Sequence, residues 1–170
     1  MNSRTATLQR YGWIVLLMSV LAGCGFQLRS YNFDSAVNGF ALTGDTNLAV
    51  TEPLRRGLLS AGAAELAPDE AGLVVDLLDQ REERRSVTSA GQARAAEYEV
   101  MYAVRYRLLG PQQEELLAPT WVERERVFRI DRDNIVGSSE EQALLRREMI
   151  QDIAGQIVRS MDAVSRPTEG

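Results

Sequence analysis

The sequence predicts an α+β fold, a two-layer sandwich in the order β-α-β-β-β-α, with two helices on one face of an approximately four-stranded, mostly antiparallel sheet. Residues 94–109 alternate between apolar and polar side chains, which is typical of a half-buried strand. Residues 138–164 repeat apolar side chains about every four positions, which is typical of an amphipathic helix. Turn-forming residues separate successive strand patterns, so neighbouring strands are expected to pair as hairpins.

A short strand and then a helix are predicted at the start of the domain. Residues 37–43 (VNGFALT) are apolar enough for a first strand, and turn-forming residues follow them. Residues 48–61 predict a helix, with several leucines available for a buried stripe and Gly62 as a stop signal. Pro53 fits this helix only in its first turn, with Thr51 as the candidate N-cap.

Three long strands are predicted in the middle of the chain. Residues 73–87 begin apolar and become strongly charged, as expected of a strand that leaves the core and continues over the surface. After a turn at 88–93, residues 94–109 form the clearest strand, with tyrosine, valine and leucine on one side. A second turn at 110–113 leads into a strand at 114–130, in which glutamate and arginine alternate. These three strands are expected to be antiparallel.

The last element is predicted to be a long helix over residues 138–164. Ser138 and Glu141 have the spacing of a capping box, which marks a helix start. The apolar stripe is expected to pack on the sheet and consists of Leu145, Met149, Ile153, Ile157 and Met161. Residues 165–170 are expected to be a flexible tail.

The first residues of the chain have the three zones of a secretory signal. Arg4 and Arg10 supply positive charge, residues 13–21 (WIVLLMSVL) are apolar, and small residues follow. The apolar run is about half of what a bilayer-spanning helix needs. Residues 21–24 (LAGC) also match the bacterial lipobox, in which signal peptidase II cuts before the cysteine. Residues 1–23 are therefore expected to be a lipoprotein signal peptide.

Cys24 is the predicted lipidation site, carrying an S-diacylglycerol and an N-acyl chain. Several acyl chains hold a protein on a membrane firmly, whereas a single myristoyl chain does so only marginally. Gly25 stands where an aspartate retains enterobacterial lipoproteins in the inner membrane, so delivery to the outer membrane is expected. Residues 24–36 are then a lipidated N-terminus and tether, and residues 37–164 form one α+β domain.

The composition excludes most enzyme chemistries. The chain has no histidine, no lysine and a single cysteine, so Ser-His and Cys-His pairs, intrachain disulfides and cysteine metal clusters cannot form. We therefore expect no catalytic activity, no metal and no cofactor. A hydrolase that depends on carboxylates such as Asp76 and Glu99 is the remaining enzymatic alternative.

The charge of the chain bears on its partners. The whole chain carries −5, and removing the two arginines of residues 1–23 leaves −7, which argues against nucleic-acid binding. All 19 basic residues are arginine. A GC-rich genome explains such a bias, and so does a need for guanidinium forks that match phosphate and carboxylate.

Several motifs, taken in order, resemble one family. Residues 24–29 (CGFQLR) are similar to the CG-aromatic-x-LR start of the LptE (RlpB) family of lipopolysaccharide-assembly lipoproteins. Gly91 with residues 96–98 (AEY), residues 124–131 on the third long strand, and residues 140–149 of the final helix are also similar. The resemblance covers essentially the whole chain after the predicted signal.

This resemblance implies a function. LptE-like proteins sit in the lumen of the LptD β-barrel at the outer membrane, facing the periplasm, as plug and assembly factor. They also bind lipopolysaccharide during its transport and insertion into the outer leaflet. The wide polar lumen of a large barrel suits a plug with a polar surface. The alternative is a lipoprotein chaperone or pilotin of another outer-membrane machine.

Lipopolysaccharide presents phosphates, carboxylates and acyl chains, so basic side chains are the candidate ligand residues. Arginines flank the 88–93 turn and end the third long strand, and these regions are expected to meet at one end of the sheet. The candidate lipopolysaccharide-binding residues are Arg84, Arg85, Arg94, Arg129 and Arg132.

Overall fold

The computed structural model describes residues 39–87, 95–131 and 135–165. Its elements follow the predicted order and form a four-stranded mixed sheet with two helices, which confirms the α+β prediction. They are β1 (Phe40–Gly44), α1 (Thr51–Ser60), β2 (Leu73–Ser86), β3 (Ala95–Leu109), β4 (Glu115–Asp131) and α2 (Ile135–Ser165).

The strands lie in the order β1-β2-β3-β4. β1 is parallel to the first five residues of β2, because α1 returns the chain to the end of the sheet from which β1 started. The β2–β3 and β3–β4 pairs are antiparallel, as predicted. β1 reaches only Leu77, so beyond that residue the sheet consists of β2, β3 and β4.

The side-chain alternation of β2 reverses just beyond the point where β1 ends. Gly44 has a φ of 77° and lies against the Leu77 carbonyl oxygen, which accepts a hydrogen bond from the Asp45 N–H at 2.9 Å. Immediately afterwards the β2–β3 register shifts, leaving Leu78 as an extra residue. Such a bulge reverses the face on which later side chains point. Even-numbered residues of β2 from Gln80 onward therefore face the helices.

The core lies between the sheet and both helices. The predicted stripe of α2 provides Met149, Ile153, Ile157 and Met161, each at most 1% exposed. The strands contribute buried apolar residues from β1, β2, β3 and β4; among them are Phe40, Leu73, Val75, Leu77, Val100, Tyr102, Val104, Leu108, Val122 and Phe128. A smaller cluster on the opposite face consists of Ala41, Ala71, Val74 and Leu109. β2 runs from this core onto the surface, as its sequence predicts.

The start of α1 differs from the prediction. The helix begins at Thr51 and not at Leu48, and the residue in the N-cap position is Val50, which makes no side-chain capping bond. Thr51 is thus not the cap; it is buried at 2% exposure, and its hydroxyl has no hydrogen-bond partner. Pro53 occupies the third helical position, where its missing N–H leaves no bond unmade. Burial of Val50 and Thr51 against the core outweighs the capping preference.

The start of α2 also differs. The helix begins at Ile135, three residues before the predicted start, so the capping box of Ser138 and Glu141 does not form the helix terminus. Ser138 lies inside the first turns and is 7% exposed. Serine is a weak helix former but is tolerated where tertiary packing favours the helix. The far end, Ser165, lies within one residue of the prediction.

Candidate functional site

The three strands beyond Leu77 form a long sheet with two different faces. Contacts with α2 define the helix face, which carries the even-numbered residues of β2, β3 and β4 in this region. The odd-numbered residues lie on the other face, which we call the open face because no helix within the described ranges packs on it. The open face carries Arg81, Glu83, Arg85, Glu97, Glu99, Met101, Ala103, Arg105, Trp121, Glu123, Glu125, Val127 and Arg129.

Two ion pairs cross the open face. Arg85 Nη2 donates to Glu99 Oε1 at 2.5 Å, and Arg129 Nη2 donates to Glu97 Oε1 at 2.5 Å. Each pair joins residues that lie directly opposite on neighbouring strands. The hydrogen bond to its glutamate raises the pKa of each arginine. Since the pairs are exposed, they match charges across the sheet without adding much stability.

Arg84 lies on the helix face and has a different environment. Its guanidinium carbon stands 4.7 Å from the centre of the Tyr98 ring, and Tyr98 stacks on Phe128 with ring centres 5.8 Å apart. Within the described ranges Arg84 makes no ion pair, and its side chain is exposed. Its donors are therefore available to an anionic ligand, while the aromatic ring fixes the position of the planar group.

The structure brings the ends of β2 and β4 to the same end of the sheet, as expected, but it divides the described arginines between the two faces. Arg84 and Arg85 project to opposite faces, as consecutive strand residues must. Arg129 shares the open face with Arg85, but the paired glutamates of β3 lie between them. Arg94 and Arg132 lie outside the described residues. Of the three candidates that the structure describes, Arg84 thus has a free guanidinium and the other two are neutralised.

Arg81 and Trp121 form a contact that the sequence alone does not indicate. The Arg81 guanidinium carbon lies 4.2 Å from the centre of the Trp121 ring. The two residues sit on the outer strands of the three-stranded region: Arg81 lies opposite Ala103, and Trp121 lies opposite Arg105, so they meet diagonally across β3. Ala103 is 3% exposed. Only the strand register brings them together, and register is not readable from alternation. Arginine and tryptophan are frequent anchors of protein interfaces.

The open face is too shallow for a small-molecule site and has the shape of a protein interface. A depression beside Arg85 and Met101 has a volume of about 70 Å³, well below the several hundred Å³ of a ligand pocket. The described residues contain no cluster of acidic or sulfur side chains that could hold a metal ion. Nor does any helix within the described ranges have the length and apolar character to cross a bilayer.

The carboxylates of the enzymatic alternative are far apart. Asp76 accepts a 2.7 Å hydrogen bond from Arg107 and another from Thr43, whereas Glu99 is paired with Arg85. Asp76 lies opposite Arg107 of β3, which is eight residues from Glu99 on the same strand, a distance of about 27 Å. Two carboxylates this far apart cannot act on the same bond of a substrate, so Asp76 and Glu99 cannot serve together as general acid and general base.

Comparison with known proteins places the chain in a family. The model of the LptE family, described as lipopolysaccharide-assembly, matches residues 36–161. This chain belongs to the LptE family. The match includes β1 to β4, α1 and nearly all of α2, and therefore both faces of the long sheet. No curated protein sequence matches this LptE-family chain significantly.

Solved structures with the same fold support the architecture of this LptE-family chain. An uncharacterized lipoprotein B from Nitrosomonas europaea has 22% identity and a TM-score of 0.68, covering 82% of this chain and 91% of its own. A minor lipoprotein from Acinetobacter baumannii has 18% identity and a TM-score of 0.62, covering 74% and 91%. The rare lipoprotein B from Shewanella oneidensis has 26% identity and a TM-score of 0.59, covering 74% and 95%.

The predicted lipidation site lies outside the described residues. Cys24, the signal at 1–23 and most of the 24–36 tether also precede the segment that the LptE model matches. The predicted domain boundary at 37 lies one residue after the start of that match. Cys24 as the anchor stays a prediction from the lipobox.

Proposed function

We propose that this LptE-family chain is an outer-membrane lipoprotein that partners the LptD β-barrel as plug and assembly factor. In this role it binds lipopolysaccharide during its transport and insertion into the outer leaflet. The observation that carries the proposal is the family match over residues 36–161, together with the β-α-β-β-β-α fold. The lipoproteins with similar folds, each named as such, support the same class of protein.

The open face is the surface that we assign to the barrel wall. It combines exposed charges of both signs with Trp121, Met101 and Val127, and Val127 is 59% exposed. A barrel wall lined with polar side chains can pair with these mixed charges through many weak contacts, which contribute more to specificity than to affinity. The helix face cannot serve in this way, because α1 and α2 cover its core.

Arg84 is the described residue best placed to bind an anionic group of lipopolysaccharide. A guanidinium donates two parallel hydrogen bonds to a phosphate, and Arg84 has no carboxylate partner within the described ranges that would compete. Arg85 and Arg129 must first release Glu99 and Glu97. Arg94 and Arg132 complete the proposed set on sequence grounds alone.

The acylated Cys24 is the proposed anchor, holding the domain at the periplasmic face of the membrane in which its partner is built. Several acyl chains contribute about 0.8 kcal/mol per buried methylene, enough for stable attachment. The tether then needs only to span from Cys24 to the domain, whose first described strand begins at Phe40.

Co-purification tests the partnership. The full-length lipidated chain, tagged at its C-terminus and extracted in mild detergent, is expected to bring down LptD at close to one-to-one stoichiometry. A tagged lipoprotein of another fold, with the same signal peptide, is the control for micelle sharing. Recovery of the chain only as a free monomer would contradict the proposal.

Depletion of the protein distinguishes the proposed function from the pilotin alternative. Loss of surface lipopolysaccharide is expected, and loss of secretion or of appendages is not.

Charge reversal tests the assignment of Arg84. Arg84→Glu is expected to weaken lipopolysaccharide binding about tenfold or more, because charge-assisted hydrogen bonds contribute about 1.5–3 kcal/mol. Arg85→Glu is the matched control with the same charge change on the opposite face, and a smaller effect is expected. Circular dichroism checks that both variants fold. Equal lipopolysaccharide binding by the wild type and by an Arg84→Glu, Arg85→Glu, Arg94→Glu triple variant would show that these three arginines do not bind the ligand.

A further inference from the structure

β4 is the last strand of the sheet, and one of its edges has no partner strand within the described ranges. The hydrogen bonds show which residues face that edge. The Val87 N–H donates to the Glu97 carbonyl at 3.0 Å, so the backbone of Glu97 faces β2 and that of Tyr98 faces β4. Tyr98 lies opposite Phe128, whose backbone therefore points inward to β3.

The neighbouring residues of β4 follow by alternation. Even-numbered residues from 122 to 128 bond to β3, and odd-numbered residues present their N–H and carbonyl groups to the free edge. Pro119 agrees with this assignment, because a proline is tolerated in a strand where its nitrogen faces away from the ladder. The edge-facing residues are Trp121, Glu123, Glu125, Val127 and Arg129.

Two arginines cover carbonyl groups on this edge. Arg124 Nη1 donates to the Glu123 carbonyl at 2.7 Å, and Arg126 Nη1 donates to the Glu125 carbonyl at 2.9 Å. An unpaired row of such carbonyls is a template for strand addition. Arg124 and Arg126 thus occupy, with groups of the same chain, acceptors that an added strand would need.

The same guanidinium groups are also fixed to α2. Arg124 Nη2 donates to Gln156 Oε1 at 2.5 Å, and Arg126 Nη2 donates to Asp152 Oδ2 at 3.1 Å. Residues two apart in a strand are separated by about 6.8 Å, and residues four apart in a helix by about 6.0 Å. Because these spacings nearly match, both arginines bridge strand and helix in the same way. We call each such bridge an arginine clamp.

Charge repulsion does not by itself close the edge to a second copy of the chain. Two β4 strands related by a two-fold axis at Val127 would place Val127 opposite Val127 and Glu125 opposite Arg129. Val127 is exposed and apolar, so in this register the two Val127 side chains contact each other and each Glu125 lies opposite an arginine of opposite charge. It requires the Glu125 carbonyl to accept a bond from the other strand, and Arg126 already occupies that carbonyl.

We infer that the arginine clamps of Arg124 and Arg126 keep the β4 edge closed to strand pairing with a second copy of this chain. Without the clamps the edge is a self-association surface, centred on Val127. This inference rests on the described fold and is independent of the proposed partner and ligand. It assigns the alternating Glu-Arg segment of β4 a role in keeping the protein monomeric.

The test measures the mass of the full-length lipidated protein, overproduced alone and purified free of other proteins, in detergent by light scattering, with the detergent contribution subtracted. The wild type is expected to be monomeric, and Arg124→Ala with Arg126→Ala is expected to double the protein mass. Arg124→Lys with Arg126→Lys keeps the charge but replaces the two fork nitrogens, which bond the strand carbonyl and the helix side chain separately, by one ammonium nitrogen. We expect the lysine variant to lose the carbonyl contact. This variant is also expected to dimerise. Arg85→Ala with Arg105→Ala is the control for losing two charges elsewhere on the sheet.

A proline at the edge shows whether a dimer forms through β4. Adding Glu125→Pro to the double alanine variant removes an edge-facing N–H without breaking the β3 ladder, so the monomer is expected to return. A monomeric alanine variant, or a lysine variant that stays monomeric while the alanine variant dimerises, would overturn the role of the clamps. A dimer that persists with Glu125→Pro, or equal dimerisation of the control, would also overturn it. Circular dichroism confirms that each variant retains the wild-type fold.

Discussion

Gly44 gives a sharp test of how β1 joins the sheet. Its φ of 77° is unfavourable for any residue with a Cβ, and a Cβ placed there would overlap the Leu77 carbonyl oxygen and approach Asp76 Oδ1. Left-handed backbone costs a non-glycine residue about 1–2 kcal/mol. Displacing packed backbone adds about 1–3 kcal/mol. Gly44→Ala should therefore lower the free energy of unfolding by about 2–5 kcal/mol.

Two other glycines separate these contributions. Gly62 follows α1 with a φ of 88°, but a Cβ added there would meet no atom within 4 Å, so Gly62→Ala should cost only the conformational part. Gly57 lies inside α1 with ordinary helical backbone, and its Cβ would contact Val158 at 3.5 Å. Gly57→Ala should stabilise the protein by about 0.5–1 kcal/mol, because alanine favours the helix.

The assay is urea unfolding followed by circular dichroism, with the three variants compared at the same pH and temperature. The expected order of stability is Gly57→Ala, wild type, Gly62→Ala and then Gly44→Ala. The decisive comparison is between Gly44 and Gly62, which share a positive φ and differ in their surroundings. Equal destabilisation at the two positions would refute the proposed overlap with Leu77.

Two further predictions concern the core between the sheet and α2. Ile153→Ala should lower the free energy of unfolding by about 2–5 kcal/mol, because Ile153 is fully buried; urea unfolding measures this, and a loss below about 1 kcal/mol would contradict it. Burial raises the pKa of Tyr102 and of Tyr106 above the ordinary value of 10.0. The unfolded chain therefore ionises first, so the contribution of these two tyrosines to stability should be constant below about pH 10 and fall as the pH rises from there towards the raised values. Ultraviolet titration of tyrosinate checks the order of ionisation, and early ionisation of both residues would contradict it.

Most of the fold was predictable because its signals are periodic and long. The alternation in β3 and the four-residue repeat in α2 each persist over more than ten residues, and both elements are found where they were expected. The ends of the helices were less predictable. Thr51 and Ser138 have good capping side chains, but both are buried inside their helices. Capping contributes about 1 kcal/mol, which burial of neighbouring side chains can outweigh.

The candidate site was less predictable than the fold, because it depends on register and on one bulge. Alternation alone places Arg84 and Arg85 on opposite faces, but it does not say which of them faces the helices. The extra residue Leu78 decides this by reversing the pattern of β2. Trp121 meets Arg81 only because three strands align in a particular register, which no local signal of the sequence fixes.

The exclusive use of arginine has two explanations, codon bias and a need for the guanidinium fork, and the contacts favour a role for the fork at specific positions. Arg124 and Arg126 each bond a strand carbonyl with one nitrogen and a helix side chain with the other. Arg146 pairs with Glu82 and also lies 5.4 Å from the Tyr102 ring centre, which joins α2 to β2 and β3. A lysine ammonium has three donors on one nitrogen and does not reproduce the planar fork that meets two acceptors from separate nitrogens. Codon bias can supply arginines anywhere, but replacing these three by lysine should lower the free energy of unfolding in urea by more than Arg105→Lys on the open face does. The buried core is expected to keep α2 on the sheet in both variants.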